Sequence, residues 1–466
     1  MDPILCDVLV LGEGIAGCSA ALVAAECGAQ VTILEKAPKD VPHGNTAFSG
    51  GSFRRASDSY SADKFFADIM DLSGGRSDPE LTRVVVEGSR KARDWLTGLG
   101  VAWTRRSRDP AACDQAEGQG VALAAAMRRA AAAKGIRVLH ETVGLSLIRE
   151  ERRVVGARAR NEHGAIEIGC GAVVLATGGF QANPEMVVRY LGQGGAHLVL
   201  RGSPYNTGDG IRMAEELGAA TDWMDDFHGG LIHYGYKKYP EIGALAGMRS
   251  MKRYEVGILI NQYGKRFVDE GEHASDKTYA KFGKIVALTQ PGGVAYIIFD
   301  AKNKNTVNPD YTGPEKEPIE AESLRELAGK LDIDAGGLVK AIGEFNSSIR
   351  DGKALSLIPP KTNFAQPIDT PPFCAYKVTG GFTFTFGGIR TNVRAEALDG
   401  DLKPIPGLYA AGEMVTGIFY GNYAGGSSLP RCAVFGRIAG EQAAQHAKKG
   451  FALSRQPSPV DERGNK

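Results

Sequence analysis

Apolar positions open the chain as an unbroken run, Val8 to Leu11 within ILCDVLVLG, the pattern of a strand buried on both faces. Small helix-forming residues follow from Ala16 to Cys27, and QVTILEK then reads as a second strand ending in Glu35. DPELTRVVVEGSRKARDWLTGLGV and GQGVALAAAMRRAAAAKGIRVL have the spacing and composition of helices, with Asp78 placed to cap the first. ETVGLSLIREERRVVGARARNEHGAIEIGCGAVVLATGGF alternates as a run of short strands and ends in a buried one. From about residue 221 aromatics and charges mix, and YKKYPE, NKNTVNPDYTGPEKEP and DGKALSLIPPK are rich in turn residues. The pattern predicts a mixed domain over 221–355, inserted into a larger one built from 1–220 and 356–466. Short strands resume at PPFCAYKV, a helix is predicted from Ala433 to Lys448, and the tail SRQPSPVDERGNK has a disordered composition.

Composition narrows the class. At 466 residues the chain exceeds one ordinary core. Its 55 Lys and Arg against 54 Asp and Glu give a net charge of +1, which leaves no electrostatic footprint for nucleic acid or an acidic membrane. The seven cysteines are odd in number, scattered and without a CxxC pair, so neither a disulfide framework nor a metal site is expected. No leader precedes the first strand and no apolar run has the length of a membrane span, so a cytoplasmic protein is expected.

The 61 glycines cluster. Gly12, Gly14 and Gly17 form GxGxxG between a strand and a helix. Gly12 permits the tight turn, Gly14 lets backbone approach a pyrophosphate, and Gly17 lets helix and strand pack. Glu35 stands where a carboxylate can accept from ribose hydroxyls. A second cluster, ATGGF (Ala176 to Phe180), and a third, LYAAGEMVTG (Leu408 to Gly417), lie far along the chain. This split arrangement resembles flavoproteins, in which the last segment returns to the flavin and Glu413 would meet the ribityl chain.

GEGIAG, HGNTAFSGG, ATGGF, NTGDG, GKRFVDE, AAGEM and FGRIAG occur in the order found in the fumarate reductase and succinate dehydrogenase flavoprotein superfamily. The chain resembles that superfamily over nearly its whole length. Within it, GGSFRRA, RGSPYNTGDG, FVDEG and YAKFG are most similar to tricarballylate dehydrogenases. The resemblance implies an α/β chain, α+β overall: a bipartite Rossmann-like FAD-binding domain interrupted by a mixed α+β cap that matches 221–355. It also implies cofactor contacts at Lys36, Asn45, Thr46, Gly50, Gly51, Val143, Ala176, Thr177, Gly178, Asp209, Ser428 and Leu429. Membrane-complex members carry a flavin-linking His before Thr in the HGNTAFSGG segment. Here Asn45 stands there, so FAD is expected to be non-covalent, and His43 is expected as a loop residue.

The departures bear on chemistry. Fumarate reductases have an Arg in NRLGGN, a substrate His before TMGG and an acidic Arg after FVNE; here those places hold Tyr423, Phe384 and Ala274. His228, in DFHGG, matches the remaining substrate His. Tyr423 and Tyr279, the latter opening YAKFG, resemble the active-site pair of 3-ketosteroid dehydrogenases. In those enzymes one Tyr and a backbone N–H, here that of Ser427, polarise a ketone while the other Tyr takes the α-proton. The implied reaction forms a C=C bond beside the carbonyl of a cyclic ketone or oxo-acid, of the 3-ketosteroid or 4-oxocyclohexanecarboxylate kind. The alternatives are a tricarballylate or other polycarboxylate oxidoreductase and a non-catalytic flavin protein. Arg54, Arg55, Arg253 and Arg431 are the candidates for holding a substrate carboxylate. With no haem or iron–sulfur motif and no second nucleotide fingerprint, an external acceptor is expected: a quinone, a dye or oxygen.

Overall fold

Buried on both faces over Val8–Leu11, the strand Ile4–Leu11 is the centre of a sheet that the computed structural model shows to be mostly parallel. The structure describes residues 4–105, 113–236, 250–307 and 317–454. The tail 455–466 and part of the turn-rich stretches near 240 and 310 lie outside them. Ile4–Leu11 pairs in parallel with Val31–Leu34 on one side and Gly164–Leu175 on the other. Pro404–Ala410 then adds in parallel to Gly164–Leu175, so the chain's last quarter returns to the sheet its first strand began. The helix Ile15–Glu26 follows the glycine turn, and Asp78 caps Pro79–Gly98 by accepting from the N–H groups of Glu80 and Leu81 at 2.9 and 3.0 Å.

The closing helix runs Ser428–Ser454, starting earlier than the predicted Ala433. Pro430 does not prevent this, because the N–H groups of a first turn have no intrahelical acceptor to lose. A Cβ built at Gly436 would lie 2.4 Å from the Ala16 carbonyl oxygen, and one at Gly440 2.1 Å from that of Ala20. The glycines of FGRIAG therefore let the closing helix press on the backbone of Ile15–Glu26 and hold its N-terminus beside the glycine turn.

A second sheet is organised on one long strand, Phe373–Thr385, where short strands were predicted. It pairs with Phe227–His233, Val294–Asp300 and Ile319–Ala321 antiparallel and with Val199–Leu200 in parallel. This sheet thus draws on residues either side of 221–355 as well as within it. Among the described residues no helix is long and apolar enough to cross a membrane.

Candidate active site

The GxGxxG turn is built by backbone contact. Gly12 has φ +103°, and a Cβ there would come within 2.4 Å of the Ala176 carbonyl oxygen. A Cβ at Gly17 would meet the Gly12 carbonyl at 1.9 Å, so Gly17 serves packing and does not line the cavity. A Cβ at Gly14 meets only Thr46 Oγ1, at 3.7 Å. Gly14 therefore faces open space, a cavity of about 860 Å³ that runs from this turn to the tyrosines.

Glu35 is tied in place: its carboxylate accepts from the Glu13 and Ala37 N–H groups, both at 2.9 Å. Lys36 Nζ pairs with Asp209 at 2.7 Å. Asn45 spends its amide on protein, donating to Glu413 Oε2 (2.7 Å) and the Thr383 carbonyl (3.0 Å) and accepting from the Ser203 N–H (2.9 Å). Glu413 also accepts from Asn206 at 3.1 Å; burial pushes its carboxyl above the ordinary value, opposed by Arg431 and Asn45. Thr46, Gly50, Ala176, Thr177, Gly178, Ser428 and Leu429 line the same cavity. Gly51 and Val143 do not: Gly51 makes a left-handed turn against the Gln119 backbone, and the neighbours of Val143, Thr142 and Gly144, take its place. The open turn, the ribose-side acid and the nearby helix N-terminus fit an FAD.

His43 is more than a loop residue. It is 1% exposed, its Nδ1 lies 2.8 Å from the Val41 carbonyl, and its Nε2 lies 2.8 Å from Glu13 Oε2, which His140 Nε2 also approaches at 3.0 Å. Burial works against charge in this cluster, yet the hydrogen bonds and the attraction of opposite charges together outweigh it, holding the Glu13 carboxyl low and the His43 imidazole high.

At the far end of the cavity the second sheet brings His228 opposite Phe384 in register. Tyr279 and Tyr423 pack edge-on with ring centroids 6.0 Å apart, each close to His228, at 5.0 and 5.3 Å. Burial drives the His228 imidazole down to about 3, with Arg201 adding to the effect, so it is neutral, and its buried Nδ1 has no partner among the described residues. Tyr423 is 5% exposed; burial raises its phenol, partly offset by the N–H of Ser428, which donates to Tyr423 Oη at 3.1 Å.

Expectations at this end are corrected too. The Ser427 N–H is not beside the phenol: it closes a turn on the Ala424 carbonyl at 3.1 Å, and the N–H that meets Tyr423 is that of Ser428. The helix begins one residue too late for the expected donor to be free. Arg431 does not line the cavity. It is fully buried behind Phe384, with its guanidinium 4.9 Å from the Phe419 ring and 3.4 Å from Ser428 Oγ. Arg54 lines the cavity but also clamps the Tyr423 loop, donating from Nε to the Gly425 carbonyl at 2.6 Å. Arg55 pairs with Asp114, and Arg253 is an exposed member of the lining.

The loop before Tyr423 is anchored to the second sheet and its helices. Lys284 bonds Asp226 and the Gly421 carbonyl, and Asn422 donates to the Lys277 carbonyl at 2.7 Å. Arg201 and Lys252, which also line the cavity, were missed in the sequence. For Arg201 a signal lay in Gly230 and Gly381, which read as generic strand glycines until the strands are paired; for Lys252 the sequence offered none.

Residues 7–429 match the family model described as FAD binding domain. The chain is 30% identical to the cytochrome-type fumarate reductase of Shewanella frigidimarina, over 95% of this chain and 78% of that one. It is 29% identical to the 3-oxosteroid 1-dehydrogenase of Mycobacterium tuberculosis, over 71% of this chain and 64% of that one. Among solved structures, the 3-ketosteroid Δ4-(5α)-dehydrogenase of Rhodococcus jostii, in complex with 4-androstene-3,17-dione, superposes with a TM-score of 0.75 at 25% identity. That superposition covers 95% of this chain and 97% of that one.

Proposed function

Because the chain belongs to the FAD-binding family of the fumarate reductase flavoproteins, and is an FAD-dependent oxidoreductase acting on CH–CH groups, we propose that it is a dehydrogenase forming a C=C bond beside a ketone carbonyl. The adjacent pair of Tyr279 and Tyr423 in the cavity carries this reading. FAD, when bound, supplies the acceptor for the β-hydride.

The residues divide the rest of the work. Tyr423, neutral through physiological pH, donates its phenolic hydrogen to the substrate oxygen, and the Ser428 N–H on its oxygen strengthens that donor. Tyr279 takes the α-proton. Lys252 Nζ lies 5.4 Å from its ring centroid, a positive charge beside the group that must carry negative charge. One α C–H and one β C–H bond break and one π bond forms. Neutral His228 stands beside both phenols and can share one hydrogen bond with the substrate. Residues 221–355 act as the cap over this end; His228, Ser250, Lys252, Arg253, Ser275 and Tyr279 are its described contributions to the cavity. FAD is held without a covalent bond, and electrons leave to an external quinone, dye or oxygen. A polycarboxylate reading of the tricarballylate kind is the second choice, favoured by the cations in the lining.

Tyr423→Phe keeps the ring and loses the donor. Loss of such a donor costs about 3–4 kcal/mol in the transition state, so flavin reduction should slow on the order of a hundredfold or more with FAD content unchanged. Tyr279→Phe should slow reduction and suppress exchange of the substrate's α-hydrogen with deuterated water. Parent rates of flavin bleaching in both variants would remove the pair from the mechanism.

A further inference from the structure

Charge is sorted along the cavity. Its described carboxylates, Glu13, Glu35, Asp209 and Glu413, all come from the dinucleotide-binding segments and are engaged there by His43, backbone N–H groups, Lys36 and Asn45. At the far end, where His228 and Tyr279 stand, the described lining carries Arg201, Lys252 and Arg253 and no carboxylate.

Arg201 is built into this place. Gly230 and Gly381 are register partners in neighbouring strands. A Cβ at Gly381 would lie 2.2 Å from Arg201 Cδ, and one at Gly230 would lie 3.1 Å from Arg201 Nη1 and 2.5 Å from Ser250 Oγ. Paired glycines thus open a slot for the arginine stem, and its Nη1 donates to the hydroxyls of Ser250 and Thr383, both at 3.0 Å. The slot holds the guanidinium close enough to His228 for its charge to act on that imidazole, whose buried Nδ1 lacks a partner among the described residues. Oriented cations around a neutral imidazole favour an anion with planar oxygens, and burying them against an apolar ligand would be costly.

We propose that the ketone substrate also bears a carboxylate and that Arg201, assisted by Lys252 and Arg253, is its binding subsite. The substrate class is then a compact oxo-acid, a ring ketone carrying a carboxylate, in preference to a neutral steroid ketone. The ketone half of this assignment rests on the desaturation reading above.

The test uses FAD-loaded protein, 4-oxocyclohexanecarboxylate, cyclohexanecarboxylate and the methyl ester of each. Perturbation of the flavin spectrum reads binding, and anaerobic bleaching reads reduction. Both acids should bind at least ~tenfold more tightly than their esters, a difference of about 1.4 kcal/mol. Arg201→Gln should erase that preference, and Arg201→Lys should retain part of it, with FAD content and thermal midpoint at parent values. Should Arg201→Gln lose FAD, Lys252→Gln/Arg253→Gln must weaken the preference instead. Equal binding of acids and esters, no binding of either acid, or an intact preference in these variants overturns the subsite. An oxo-acid that binds with the full preference but never bleaches the flavin supports the subsite and refutes the desaturation reading.

Discussion

Gly12 and Gly14 sit two residues apart and are glycine for different reasons. At Gly12 the constraint is the fold: positive φ and a Cβ pressed on the Ala176 carbonyl. At Gly14 the protein leaves room, and only a bound pyrophosphate would exclude a side chain. Gly12→Ala should therefore lower the stability of the FAD-free protein by on the order of 1–3 kcal/mol in urea unfolding. Gly14→Val should leave that stability near parent and yield a colourless protein. Full FAD occupancy in Gly14→Val would contradict the pyrophosphate assignment. The same separation applies at the tyrosine end. Tyr423 and Tyr279 were legible as residues, from motifs alone. That Ser428 rather than Ser427 meets the phenol depends on where a helix begins, which a sequence places only to within a few residues.

At the scale of elements, close backbone approach sets the geometry. The closing helix reaches the cavity because Gly436 and Gly440 let it lie against Ile15–Glu26. Gly440→Leu would drive a side chain into the Ala20 carbonyl, with an overpacking cost of about 1–3 kcal/mol and weaker FAD binding as Ser428 and Leu429 shift. Gly343, inside the helix Ala335–Ser348, has nothing within 4 Å of a built Cβ. Gly343→Ala should stabilise by roughly 0.5–1 kcal/mol through helix propensity alone. Urea midpoints moving in opposite directions for the two substitutions would establish the distinction; equal shifts would refute it. Short strands are predicted from PPFCAYKV, whereas one long strand, Phe373–Thr385, runs on through Gly380 and Gly381. In the sheet those glycines are where helix backbone and the Arg201 stem come close.

For the whole molecule, the cavity takes residues from Leu11 to Cys432, so both ends of the FAD-binding part must be folded for the cofactor to stay. Asn45 stands where a linking histidine would be and is occupied by Glu413, Thr383 and Ser203. Acid precipitation should release all yellow colour into the supernatant, and added FAD should raise the thermal midpoint of the apoprotein as a ligand of the folded state does. A yellow pellet would show a covalent link and refute the assignment.

The sequence by itself determined the strand–turn–helix that receives a dinucleotide, the acid after the second strand, the return of the last segment and the candidate tyrosines. The first two depend on residue type at short spacing, which backbone geometry transmits faithfully; the last two were carried by motifs shared with a known superfamily. Tertiary structure alone decided which cations reach the cavity. Arg431, three residues into the closing helix, is buried behind Phe384, whereas Arg201, which opens RGSPYNTGDG without standing out as a site residue, enters through a slot between strands that are distant in sequence. An arginine's long side chain can serve either place. Which one it serves depends on where neighbouring strands leave room, and that room is set by pairing across the sheet.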